Sequence, residues 1–120
     1  MAVFAIYVQS STYASPVLAS VLRFAKAALS QQHQLDHIFF YQDAVLAVSN
    51  DADLPADEPD NAALLVSFCQ QQQIPVLYCV TAAEKRGIAS DSRPARAGFI
   101  GAGLAEFAMR LDEVDRVVQF

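Results

Sequence analysis

The sequence predicts a three-layer α/β/α domain built on a mainly parallel sheet, and three observations carry that expectation. Val3–Val8 is a continuous apolar run, the pattern of a strand covered on both faces. Runs of this kind alternate along the chain with segments of helical periodicity, the order that produces βαβ units. The 120 residues are 54% hydrophobic and 18% charged, which supplies apolar surface for one core and length for a single domain, 1–120.

After the polar loop 9–15, Ser15-Pro16 reads as a helix start: an oxygen for free N–H groups, then a residue whose missing N–H costs nothing at the first position. Leu18, Val21, Leu22, Ala25, Ala28 and Leu29 follow at helical spacing, and the pattern fades near Gln32. Leu35–Tyr41 is the second strand, with Asp43 placed to cap a short helical segment, Ala44–Val48. Asn50–Asp60 mixes five acids with two prolines and predicts no regular structure. A helix over Asn61–Gln73 puts Leu65, Phe68 and Cys69 on one face and stops before Ile74-Pro75. Val76–Val80 is the third strand, and Thr81 begins a helix that Gly87 ends. Ile88–Gly98 predicts an irregular segment, Leu104–Leu111 a helix, and Arg116–Phe120 a closing, buried strand. These patterns do not set the strand order.

Charge and cysteine content narrow the function. Eight Lys+Arg against thirteen Asp+Glu leave a net charge of −5, with no cationic excess to neutralise phosphates, so direct nucleic-acid binding is not expected. No apolar run is long enough for a membrane span and Met1-Ala2-Val3 lacks the basic start of a signal peptide, so a cytoplasmic protein is expected. Two cysteines are too few for a disulfide framework, and with two histidines and no Cys-x-x-Cys pair they are too few for zinc.

In a parallel sheet, chemistry lies beyond the carboxyl ends of the strands. Three such ends matter: Gln9-Ser10-Ser11-Thr12, Tyr41-Gln42-Asp43 and Cys79-Val80-Thr81. Cys79 is the most reactive residue type among them, because a thiol just ahead of a helix feels free N–H groups and the positive end of the dipole. A small hydrophobe packed at a strand end is the other reading of that cysteine. Cys69, four residues after Leu65 on an apolar helix face, reads as inert. His33 and His37 have the i, i+4 spacing of a ligand pair, but the helix has frayed there and a turn explains them. Gly98–Gly103 lacks both phosphate-loop fingerprints and reads better as a turn of close backbone approach, even as the mouth of a Cys79 pocket.

Certain residues in a set order carry a resemblance: Phe4-Ala-Ile, Phe24-Ala25, Phe39-Phe40-Tyr41 with Val45, Cys79-Val80-x-Ala82-x-x-x-Arg86-Gly87, and Asp115-Arg-Val-Val-Gln-Phe120. With these the chain resembles the DsrE/TusD family of bacterial sulfur-relay proteins over nearly its whole length, and its TusD branch above all. The resemblance implies a DsrE-like fold and a persulfide sulfurtransferase in which Cys79 is the catalytic sulfur carrier. It implies no metal or organic cofactor. The implied partners are TusB-like and TusC-like subunits in a heterohexamer, a TusA-like upstream donor and a TusE-like downstream acceptor, in tRNA wobble-uridine 2-thiolation. The alternatives are a DsrE subunit of a dissimilatory sulfur-oxidation relay, a non-catalytic subunit of such a complex, and, most weakly, a nucleotide-binding module.

Overall fold

Five strands form one sheet: β1 (Val3–Val8), β2 (Gln34–Phe40), β3 (Val76–Cys79), β4 (Ile100–Ala102) and β5 (Arg116–Gln119). Every pairing is parallel and the spatial order is β4-β3-β2-β1-β5. The computed structural model describes residues 1–13 and 16–120, so the expected Ser15 cap lies outside the described residues. The helices are α1 (Val17–Ser30), α2 (Asn61–Gln71), α3 (Val80–Lys85) and α4 (Leu104–Arg110).

Alternation along the strands divides the core into two faces. Phe4 meets Phe24 of α1 edge-on at 5.4 Å, and α1 packs against α2 on that side. Tyr7, His37 and Phe39 point the other way and meet Phe107 of α4, which stacks on Phe39 at 4.7 Å. The predicted three layers are present.

The register of β1 against β2 skips Asp36, so Phe4 pairs with Leu35 and Ala5 with His37. Neighbours on a strand normally face apart, and this bulge lets Asp36 turn to its neighbour, where its Oδ2 lies 2.7 Å from His37 Nδ1.

Four local expectations need correction. Asp43 caps nothing: Gln42–Val48 is one 3₁₀ segment with Tyr41 at its cap, and Asp43 reaches across to Arg86. The third helix of the chain begins at Val80, one residue before Thr81. The segment 98–103 contains a strand, β4, where a turn was expected, because pairing with β3 overrides the low strand propensity of a segment with three glycines. The closing strand is an exposed edge, with Val117 47% exposed, since only β1 flanks it.

Asn50–Asp60 forms no regular element, as its composition predicts, yet it is fastened. Arg93 Nη1 donates to Asp51 Oδ2 at 2.8 Å, Asn50 Nδ2 to the Pro94 carbonyl at 2.8 Å, and Arg96 to Asp60. Asp60 also accepts from Ala63 N at 3.2 Å as the cap of α2, and its bond with Arg96 holds its carboxyl below the usual range.

Candidate functional site

Cys79 is at once the last residue of β3 and the cap of α3, with extended backbone (φ −74°, ψ 114°) that passes into helix at Val80 without a loop. Local sequence explains the abrupt change. Val76-Leu-Tyr is an apolar strand run between β2 and β4, whereas Ala82 and Ala83 are small helix formers that bury on the first turn. Gly87, at φ +67°, ends the helix, its N–H donating to the Glu84 carbonyl at 3.1 Å.

Pairing of β3 with β4 sets Ala102 beside Cys79 and carries the chain into α4, whose Leu104 lines the same cleft as the thiol. On the β2 side Tyr41 is tied down by its N–H to the Val8 carbonyl at 2.9 Å. The result is a cleft of about 250 Å³ lined by Tyr41, Gln42, Cys79, Thr81, Ala82, Lys85, Arg86 and Leu104. Arg86 forms one wall and is held on three sides. Its Nε donates to Asp43 Oδ1 at 3.0 Å, Nη1 to the Ala82 carbonyl at 3.1 Å and Nη2 to Gln42 Oε1 at 3.4 Å. Gln42 sits at φ +53°, a left-handed conformation uncommon for a residue with a side chain.

The two cysteines differ in what surrounds them. Cys69 is fully buried on α2, and burial pushes its thiol up to about 12, so it stays protonated. Cys79 is also shielded, 4% exposed, but its free side is the cleft. Beneath the cleft, burial raises the Tyr7 phenol, with Tyr41 and Cys79 adding to the effect, so Tyr7 remains a neutral hydroxyl.

Other sequence candidates lie elsewhere. His33 is in a turn, where its Nδ1 accepts from Ala2 N at 3.0 Å, while His37 is buried in β2 against Phe107, so the pair shares no face. Thr12 lines a separate, tighter cavity of about 50 Å³ beside Tyr13 and Arg96. Among the described residues no group of three or more His, Cys, Asp or Glu side chains comes together, and no helix is long and apolar enough to cross a membrane. Sequence reasoning missed Tyr7 and Leu104, which carry no local signal, whereas Gln42 at a strand's carboxyl end and Arg86 within the family motif were both visible in the sequence.

Known proteins resemble this chain over nearly its whole length. A family model described as DsrE/DsrF-like matches residues 2–120. A sulfurtransferase TusD of Enterobacter sp. (strain 638) is 31% identical, and a sulfurtransferase TusD homolog of Vibrio cholerae is 34% identical; each alignment covers 98% of this chain and 98% and 96% of the relative, respectively. A putative sulfurtransferase DsrE of Allochromatium vinosum is 28% identical over 98% of this chain and 97% of its own. The crystal structure of the ychN protein from E. coli superposes with a TM-score of 0.81 at 29% identity, covering 100% of both chains. The chain therefore belongs to the DsrE/DsrF-like family, in which curated relatives spanning its full length are named sulfurtransferases.

Proposed function

We propose that the protein is a persulfide sulfurtransferase with Cys79 as its sulfur carrier. The carrying observation is positional: of the two thiols, only Cys79 stands at a strand's carboxyl end and opens on a cleft, while burial keeps Cys69 protonated. The Cys79 thiolate attacks the outer sulfur of an upstream carrier's persulfide. The donor's S–S bond breaks, its electron pair leaves on the donor thiolate, and Cys79 becomes a hydrodisulfide. A downstream carrier's thiolate then attacks the outer sulfur and Cys79 is released as a thiolate. Neither step needs an oxidant, a metal or an organic cofactor.

The reading extends to tRNA wobble-uridine 2-thiolation in the cytoplasm as the destination of the sulfur, with TusB-like and TusC-like subunits as companions, a TusA-like donor and a TusE-like acceptor, as the resemblance to the TusD branch implies; the relatives named sulfurtransferase TusD support the sulfur transfer itself. The acidic balance suits this division of labour, since a later enzyme would handle the tRNA. The relative named DsrE supports a sulfur-oxidation relay instead, and the identity of the acceptor separates the two.

Intact-mass analysis after incubation with a protein persulfide donor tests the proposal. Wild type and Cys69→Ser should gain sulfur, and Cys79→Ser should gain none. Sulfur gained by the Cys79→Ser protein would falsify the carrier assignment, and a wild type that gains none would make this a non-catalytic subunit.

A further inference from the structure

The Cys79 cleft carries two cations on adjacent residues, and they are in different states. Arg86 is engaged: its guanidinium donates to Asp43, to the Ala82 carbonyl and to Gln42. Lys85 lines the same cleft from the last turn of α3, is exposed, and pairs with no carboxylate among the described residues. Arg86 is thus committed to the wall, whereas the Lys85 ammonium on the same cleft is taken up by no carboxylate among the described residues.

Loading changes where the charge lies. The second sulfur stands about 2 Å beyond Sγ, and with Ala102 paired beside Cys79 and the thiol otherwise shielded, the cleft is the side on which it has room. A hydrodisulfide is a stronger acid than its parent thiol, because the neighbouring sulfur stabilises the anion. The loaded site thus bears its negative charge on the outer sulfur, within the cleft, and the proton it gives up goes to solvent.

We propose that Lys85 is a catalytic residue whose ammonium holds the outer sulfur anion of loaded Cys79. This rests on the carrier reading of Cys79 and adds a partner for the stored sulfur. A charge-assisted N–H···S contact favours the loaded anion over the empty site. The Arg86 fork, already holding three acceptors, fixes the wall from which Lys85 reaches. Before hand-over the outer sulfur regains a proton, the acceptor thiolate attacks it, and Cys79 leaves with the electron pair. Lys85 therefore governs how much sulfur is stored more than how fast the empty thiol reacts.

The test loads the protein with inorganic polysulfide, from which a shortened polysulfide leaves with the electron pair, and reads bound sulfur by intact mass across pH. At low ionic strength Lys85→Met should lower the occupancy of Cys79 about fivefold, the upper range for one partly exposed ion pair, and shift the pH at which half-loading is reached upward. Lys85→Arg should restore occupancy to within about twofold, since charge is what the site uses. Iodoacetamide alkylation of the empty Cys79 should slow by less than the occupancy falls in Lys85→Met, because the charge acts chiefly on the outer sulfur. Wild-type occupancy in Lys85→Met, or a proportional loss of alkylation rate in the same variant, overturns the role. The carrier reading fails separately, through a wild type that takes no sulfur or a Cys79→Ser protein that does.

Discussion

His37 is a fully buried imidazole with one partner, the Asp36 carboxylate at 2.7 Å from Nδ1, while its Nε2 has none among the described residues. Burial pushes its titration below the ordinary value of 6.5, against the opposing pull of Asp36, with Arg110 adding to the depression. We read it as the neutral tautomer carrying its proton on Nδ1, because a bare ring nitrogen against the edge of Phe107 costs less than an imidazolium there. Above pH 6.5 neither the folded nor the unfolded chain protonates this group, and it makes stability no steeper. Below that value the unfolded chain binds a proton that the fold resists, so stability falls as pH drops toward the folded value. His37→Phe should flatten the slope of thermal stability between neutral and mildly acidic pH, and a slope equal to wild type in that variant would show that His37 does not set it. The sequence disclosed none of this, because the Asp36–His37 contact depends on a bulge. Cys79 was legible by contrast, since its place after Val76-Leu-Tyr and before Thr81-Ala-Ala follows from patterns within six residues.

The segment from Gly98 to Leu104 is where local reading and tertiary structure diverge most. Three residues containing one glycine, flanked by two more, read as a turn, yet Leu77-Tyr78-Cys79 supplies a parallel partner and makes Ile100–Ala102 a strand. The close approach expected at Gly98 is real: at φ +95°, a Cβ there would lie 2.1 Å from Val66 Cγ1. Gly98→Ala should lower stability by about 1–3 kcal/mol, combining backbone strain at positive φ with overpacking against α2. Adding Val66→Ala should recover part of that loss by removing the overlap while leaving the strain, and thermal denaturation of the single and double variants measures both. A Gly98→Ala protein as stable as wild type would mean that the turn can reorganise freely. The first three strands and α1 were legible because their apolar periodicity is long. The Asp43 cap was misjudged because its carboxylate is drawn 43 positions along the chain to Arg86, a partner that helix-start rules cannot see.

In the molecule as a whole, acidic and basic residues are distributed so that the loop 50–60 and the segment 90–96 hold each other through Asp51, Asp60, Arg93 and Arg96, which leaves the Cys79 cleft on its own side with Lys85 and Arg86. Several large apolar side chains remain exposed, among them Ile100 at 53% on β4, Leu104 at 47% on the cleft and Met109 at 74% farther along α4. Burial by companion subunits is the outcome expected from this distribution. Light scattering should show a larger, defined species when the chain is mixed with TusB-like and TusC-like subunits, and a monomer that stays monomeric in that mixture counts against the assembly. How the cysteine is mounted bears on such encounters. Strand pairing holds Cys79 on one side, helix on the other, and no loop intervenes. A sulfur stored there travels no farther than one side-chain rotor and one S–S bond allow, a few ångströms in all. It resembles cargo on a fixed berth, so whatever collects it must itself supply the motion, bringing a cysteine on a projecting loop or tail down to meet it.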